Sequence, residues 1–327
     1  MREKLPHAIL FHGQAGIGKR DFANAFAQSL LCEKPLAYGN ACRECDACGW
    51  FSQYSHPDYR RVRPEILEDA DSSSTIEDAT NGLSDTAKSG KAPSKEIRIE
   101  QIRALAGFMN VSTHRNAKRV VLLYPAESLN NASANALLKT LEEPPPNTII
   151  ILVSNQVDQL LPTILSRCRK VAMPMPDRQQ SLTWLAAQNV ANPDVWLDEQ
   201  GGAPLAAMAQ CHVGIGQELN DFLQMLAQAT PEAALAAAEK MHKTALSTLV
   251  SWLQRWIYDI VFFKFSGKVR YYPRYRPQIE ALAAKGSAAA LITGMATVSQ
   301  RRTIADHPLS PKLFIEDMLL DYIQIFS

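Results

Sequence analysis

The 327-residue chain lacks any run of apolar residues near the ~18 to 20 that a bilayer-spanning helix needs. It lacks a charged-then-apolar leader, and it lacks a prevailing charge: 34 Lys and Arg stand against 33 Asp and Glu. The first two absences exclude a membrane span and a secretory signal, so a soluble cytoplasmic protein with no membrane partner is expected. The third excludes polyanion binding by bulk charge. Cysteine is scarce as well, six in all, yet four fall between Cys32 and Cys48. Without a secretion signal, such clustering argues for a metal before disulfides. The length exceeds what one compact core accommodates, which suggests two or three domains.

What is present is organised around Asn130 to Cys168. Ala134, Leu137, Leu138 and Leu141 fall at i, i+3, i+4 and i+7, the signature of an amphipathic helix over Asn131 to Glu143, with Asn130 or Asn131 as N-cap. Pro144, Pro145 and Pro146 stop it, since none can donate a backbone N–H. Thr148 to Val153 is an unbroken β-branched and apolar run, the pattern of a strand covered on both faces. Pro162 suits the first turn of a short helix reaching Ser166, and a final strand runs from Arg169 to Met173. Arg167 stands between them, fixed by its framework and able to offer its guanidinium fork outside the chain; an internal salt bridge is the alternative.

Upstream, the apolar strand His7 to His12 runs into Gly13-Gln14-Ala15-Gly16-Ile17-Gly18-Lys19-Arg20 and then a helix carrying Phe22, Ala23, Phe26, Ala27 and Leu30. Strand, glycine-rich loop and helix are the context of a phosphate-binding loop, with Gly13, Gly16, Gly18 and Lys19 as its nucleotide-binding candidates. The position after Lys19 should be Ser or Thr to ligate magnesium; here it is Arg20, which removes a ligand and adds a cation. Next come Cys32, Cys42, Cys45 and Cys48, spaced C-x9-C-x2-C-x2-C. Two overlapping C-x-x-C pairs bring three thiolates to one ion, and Cys32 at the helix end can close a tetrahedral, structural zinc site. A redox dithiol and plain buried thiols are the alternatives. His56 is near enough to be weighed as a ligand, but four cysteines already complete a site, so it reads as part of a turn.

Tyr59 to Arg63 reads as the second strand, Ile99 to Met109 as a helix and Val120 to Leu123 as the third strand. Between them, about 65–95 is too poor in apolar residues to offset its ordering entropy, and a mobile insertion is expected. After Met173, Pro174-Met175-Pro176 reads as a linker into a small helical unit supplied by Leu182, Leu185, Trp196 and Leu197. From about Ile215 the pattern is helical to the end, in apolar stretches that must bury a face. Lys268 to Arg276 interleaves cations with tyrosines; such a stretch can stack on nucleic acid, but it reads rather as a solvated loop whose tyrosines pack locally.

Asn135-Ala136-Leu137-Leu138-Lys139-Thr140-Leu141-Glu142-Glu143-Pro144-Pro145, followed by Leu161-Pro162-Thr163-Ile164-Leu165-Ser166-Arg167-Cys168, resembles the bacterial clamp-loader branch of the AAA+ ATPase family. The resemblance covers nearly the whole chain, most closely before about Pro176. It implies an α/β fold: a parallel-sheet phosphate-loop domain (1–173) with an inserted zinc module (about 32–48), a small helical lid (174–214) and an all-α collar (215–327) that joins subunits into a ring. It implies partners too: gamma/tau ATPase subunits, a delta subunit, the sliding clamp and primer–template DNA. Arg167 would be a catalytic finger acting in trans on a neighbour's ATP. Active members place an Asp-Glu pair where this chain has Tyr124 and Pro125, and a nucleotide-sensing arginine where Leu205 stands. With Arg20, these departures argue against hydrolysis here, since magnesium and the attacking water lose their ligands. Glu127 could act as a base only with a shifted backbone and otherwise reads as a solvated loop carboxylate; Ser154 and Asn155 read as a polar turn. Phe314, Met318 and Ile325 either join the ring contact or bury themselves within the collar. Two other readings stay open: an active ATPase with an unusual magnesium site, and a zinc-organised DNA-binding module.

Overall fold

The computed structural model describes residues 5–72, 93–110, 113, 118–213, 216–305 and 310–326. The chain forms two compact units, Met1–Met175 and Pro176–Ser327.

In chain order the first unit contains β1 (Ala8–His12), α1 (Lys19–Leu31), α2 (Asp46–Ser52), β2 (Tyr59–Val62), α3 (Glu65–Ser72), α4 (Ile99–Asn110), β3 (Arg119–Leu123), α5 (Asn131–Glu142), β4 (Thr148–Ser154), α6 (Pro162–Arg167) and β5 (Arg169–Ala172). The five strands order as β2-β3-β4-β1-β5, and every neighbouring pair is parallel. β4 is buried along its whole length because both faces of the sheet are covered, the arrangement its unbroken apolar run demands. One face packs on α4, α5 and α6 through Leu105, Leu137, Leu141 and Ile164; the other packs on α1 and α2 through Ala23, Ala27 and Phe51. Parallel strands bring the C-terminal ends of β1, β3, β4 and β5 to one edge of the sheet, where ligands bind in open α/β folds.

Local chemistry sets the helix ends. The Asn130 side chain caps α5 by accepting the Ser133 N–H at 2.9 Å, and Pro162 opens α6. The polar segment expected as an insertion from residue 65 departs from that reading at its start: Glu65–Ser72 is helical. Glu65 pairs with Arg98 at 3.0 Å and accepts the Ser94 N–H at 3.0 Å, so charged contacts stand in for apolar burial there. Residues 73–92 lie outside the described residues.

The second unit begins with α7 (Arg178–Ala187), α8 (Pro193–Glu199) and α9 (Pro204–Val213), which share a small core of Leu185, Val190, Leu197 and Ala207. A larger core is built by α10 (Gly216–Gln228), α11 (Pro231–Met241), α12 (Leu246–Ser266), α13 (Arg276–Lys285), α14 (Ala288–Ile304) and α15 (Pro311–Gln324). Its centre is α12, whose Trp252 and Trp256 are fully enclosed; Trp256 Nε1 donates to the Tyr322 hydroxyl at 2.8 Å, which donates in turn to the Leu226 carbonyl at 2.8 Å. Asp259, also enclosed, accepts the backbone N–H groups of Arg270, Tyr271 and Tyr272 at 2.8–3.1 Å. That carboxylate pins the cation-and-tyrosine stretch to the bundle, and Tyr272 is buried with its hydroxyl on the Trp252 carbonyl. Phe314, Met318 and Ile325 are likewise buried in this core. No single helix among the described residues is long and apolar enough to cross a membrane.

Candidate functional site

The loop between β1 and α1 stands at the C-terminal edge of the sheet. Gly13 sits at φ 154°, and a Cβ there would lie 2.7 Å from the carbonyl oxygen of Met173, the residue after β5, so only glycine fits there. Gly18, at φ 92°, turns the chain into α1. The loop's lysine does not point outward. Lys19 is 3% exposed, and its ammonium donates to the loop's own Gln14 carbonyl. Burial lowers the Lys19 pKa, against the opposing pull of the Glu127 carboxylate.

Glu127 is half-buried and accepts the Asn155 N–H at 3.0 and 3.3 Å, which ties the end of β3 to the end of β4. Glu127 thus remains a loop carboxylate, partly open to solvent, with the Asn155 N–H as its partner. The Ser154 hydroxyl accepts from Gln156 N–H at 3.1 Å, a polar turn. The Arg20 guanidinium lies 5.9 Å from the centroid of the Tyr124 ring and 3.5 Å from Asp21. Two residues standing where magnesium ligands are expected thus meet each other as cation and ring. Leu205 is half-buried on α9.

Arg167 ends α6 with its side chain 34% exposed. Its Nη2 pairs with Glu142 Oε1 at 2.6 Å, and Nη1 donates to the Thr163 carbonyl at 2.9 Å and the Ser166 hydroxyl at 3.3 Å. The internal salt bridge weighed as the alternative is present, with a partner itself 49% exposed. Glu142 carries no sequence signal for this pairing; only the packing of α5 beside α6 supplies it. Cys168 is buried beneath, and burial pushes its thiol up to about 11.

The four cysteines between α1 and α2 converge. Their sulfurs all lie within 4.8 Å of one another. Cys32 to Cys42, Cys32 to Cys45 and Cys42 to Cys48 measure 3.5, 3.9 and 4.0 Å. A tetrahedral zinc with bonds of about 2.3 Å requires sulfurs about 3.8 Å apart, so the cluster has the size of that site. Cys42 N–H donates to the Cys32 sulfur at 3.2 Å, and Cys45 N–H to the Cys42 sulfur at 3.3 Å, bonds that stabilise thiolates. His56 stays outside: its Nδ1 accepts the Asp58 N–H at 3.1 Å, as a turn residue does.

These features define a class: a parallel α/β protein with a glycine-rich phosphate-type loop at the C-terminal edge of its sheet, a four-cysteine cluster after the loop's helix, and a helical second unit. A family model described as "DNA polymerase III, delta subunit" matches residues 1–177. The DNA polymerase III subunit delta' of Pseudomonas aeruginosa is 35% identical over 271 residues, 81% of this chain and 74% of that relative. The subunits of the same name from Haemophilus influenzae and Escherichia coli are 31% and 29% identical, over 67% and 69% of this chain and 59% and 60% of their own lengths. The chain belongs to the DNA polymerase III subunit delta' family. A DNA polymerase III gamma-subunit-related protein of Thermotoga maritima, 16% identical, aligns over 100% of this chain and 97% of its own with a TM-score of 0.39, too low to bear on the architecture.

Proposed function

We propose that this chain is a non-hydrolysing subunit of the ring that opens a sliding clamp and places it on primed DNA, and that its Arg167 acts on ATP held by a neighbouring subunit. Its partners in this reading are the gamma/tau ATPase subunits and the delta subunit, and through the assembled ring the clamp and the primer–template. The small helices α7–α9 serve as a lid and α10–α15 as the collar that joins the ring.

The observation that carries the reading is a contrast between two cations. Lys19, the residue that would hold a nucleotide's phosphates, is buried and bonded to its own loop, whereas Arg167 stands half-exposed at a helix end. A loop closed on its own lysine and lacking the magnesium hydroxyl at Arg20 cannot assemble the charge clamp of phosphoryl transfer. The pairing of Arg20 with Tyr124 supports this, because the two positions expected to serve magnesium carry a cation and a ring that meet each other. An arginine supplied from a neighbour contributes ~10³ to 10⁵ in rate by stabilising charge on the transferring phosphoryl group. The cysteine cluster would hold zinc through Cys32, Cys42, Cys45 and Cys48, and zinc there would cross-link α1 to α2 without an open position for chemistry.

The test is clamp- and DNA-stimulated ATP turnover in a ring rebuilt from this chain and its partners. Arg167→Ala should abolish most turnover with assembly intact; unchanged turnover in an assembled ring rules the finger out. Hydrolysis by the isolated chain, lost in Lys19→Ala, would favour the active-ATPase reading instead.

A further inference from the structure

Charge is balanced over the whole chain but not along α12 and the stretch that follows it. From Arg255 to Lys285 seven lysines and arginines stand against two acids, Asp259 and Glu280. Asp259 is turned inward, with both oxygens held by backbone N–H groups. Two of the cations are used inside the fold: Arg274 pairs with Glu199 at 2.7 Å, and Arg255 donates to the Glu199 carbonyl at 2.9 Å. Lys264, Lys268, Arg270 and Arg276 are exposed, and none of them makes an ion pair among the described residues.

The same end of α12 leaves aromatic rings out of the core. Tyr258, Phe262 and Phe265 fall at i, i+4 and i+7, on one face of the helix, and none of the three packs into the hydrophobic core. Tyr258 stacks on Phe262 with centroids 5.7 Å apart, the Tyr271 ring meets Tyr258 edge-on at 5.5 Å, and Phe265 is 65% exposed. The cations lie among these rings. The Arg270 guanidinium is 5.4 Å from the Tyr271 centroid, and Lys264 and Lys268 flank Phe265 along the chain. Arg276 reaches the same helix end, donating to the Gly267 carbonyl at 3.4 Å and lying 5.7 Å from the Phe263 centroid.

Cations without acids around an exposed phenyl ring select a polyanion that also offers flat apolar faces. The balanced net charge is no obstacle, because the attraction acts over a Debye length of ~10 Å. A run of carboxylates meets the charge and leaves the rings bare. Duplex nucleic acid meets the charge but keeps its bases stacked inside. Single-stranded nucleic acid supplies both, phosphates for the cations and unpaired bases for the rings.

We propose that the C-terminal end of α12 binds single-stranded nucleic acid, with Lys268, Arg270 and Arg276 on the phosphates and Phe262 and Phe265 against the bases. The tyrosines of 268–276 keep their local packing in this reading, since the rings that stack belong to the helix. The contact is made by this chain alone and stands or falls independently of the ring and of Arg167.

The test is fluorescence anisotropy of the full chain, without partner subunits, with a labelled oligothymidine of about 20 nucleotides, a duplex of the same length and polyglutamate. Saturable binding of the single strand is expected at about 50 mM salt, with a slope of log affinity on log salt of about −2 to −3 for about three or four phosphate contacts. Phe265→Ser should weaken binding about fivefold or more through lost stacking, at unchanged slope. Lys268→Gln with Arg270→Gln should make the slope shallower by about 1.4. All three side chains are exposed, so the variants should keep the circular dichroism of the native chain. No saturable binding of the single strand, native affinity in Phe265→Ser, or a native slope in the double variant overturns the proposal. Duplex bound as tightly as the single strand overturns it too, because the rings then have no role. Polyglutamate bound as tightly would make an acidic protein segment the occupant and overturn the nucleic-acid assignment.

Discussion

Glu142→Gln separates what Arg167 does for the fold from the role proposed for it on a neighbour. The substitution keeps the shape of the side chain and removes its charge, so the 2.6 Å pair with Arg167 is weakened while the bonds to Thr163 and Ser166 remain. Both partners are at least a third exposed, and solvent screening holds such a pair to about 0.2–1 kcal/mol. For a domain of this size, that shifts the melting temperature by less than about 4 °C. In the role proposed for Arg167, the guanidinium would have to leave Glu142 before reaching a phosphoryl group. Removing that competitor lowers the release cost by the same amount, so turnover should hold steady or rise by at most about fivefold. Arg167→Ala, by contrast, should lose ~10³-fold or more. Thermal unfolding of the isolated chain and steady-state turnover of the ring measure the two effects. A collapse of turnover in Glu142→Gln as deep as in Arg167→Ala would refute the reasoning, because Glu142 would then be part of the working geometry and not its competitor.

Metal analysis of the purified chain should return one zinc per chain. Cys45→Ser or a strong chelator should remove it and lower the stability of the first unit, whereas unchanged melting after demetallation would leave the cluster without a structural role. Lys19→Met, which replaces a buried ammonium by an apolar side chain of similar length, should leave ring turnover unchanged within twofold. A loss of orders of magnitude would mean that Lys19 reaches a nucleotide after all. Tyr322→Phe removes the hydroxyl between the Trp256 indole and the Leu226 carbonyl, leaving two buried groups unpaired at about 1–3 kcal/mol each. Denaturant unfolding of the second unit should register that loss, and a change below about 0.5 kcal/mol would show that the core repairs itself.

The strands and helices of the first unit were legible because each is written in a local pattern. The apolar run Thr148 to Val153 has the pattern of a doubly covered strand, Asn130 and the prolines bound α5, and the glycine loop joins β1 to α1 within a few residues. The cysteine cluster was legible for the same reason, since C-x2-C spacing is short-range geometry. The helical start of the 65–72 segment was not. Its low apolar content suggested disorder, and its charged residues found partners in Ser94 and Arg98 instead.

The sequence by itself determined most of the strands and helices, which thiols gather, and which positions differ from those expected to serve magnesium. Tertiary structure alone decided which charge meets which. Glu142 takes Arg167, Glu127 holds Asn155 and faces Lys19, Arg20 lies on Tyr124, Asp259 gathers three backbone N–H groups, and Glu199 pairs with Arg274. The physical reason is range. Periodicity and turn chemistry act over a few residues along the chain, whereas ion pairs and buried hydrogen bonds depend on distances that exist only once separate elements have packed.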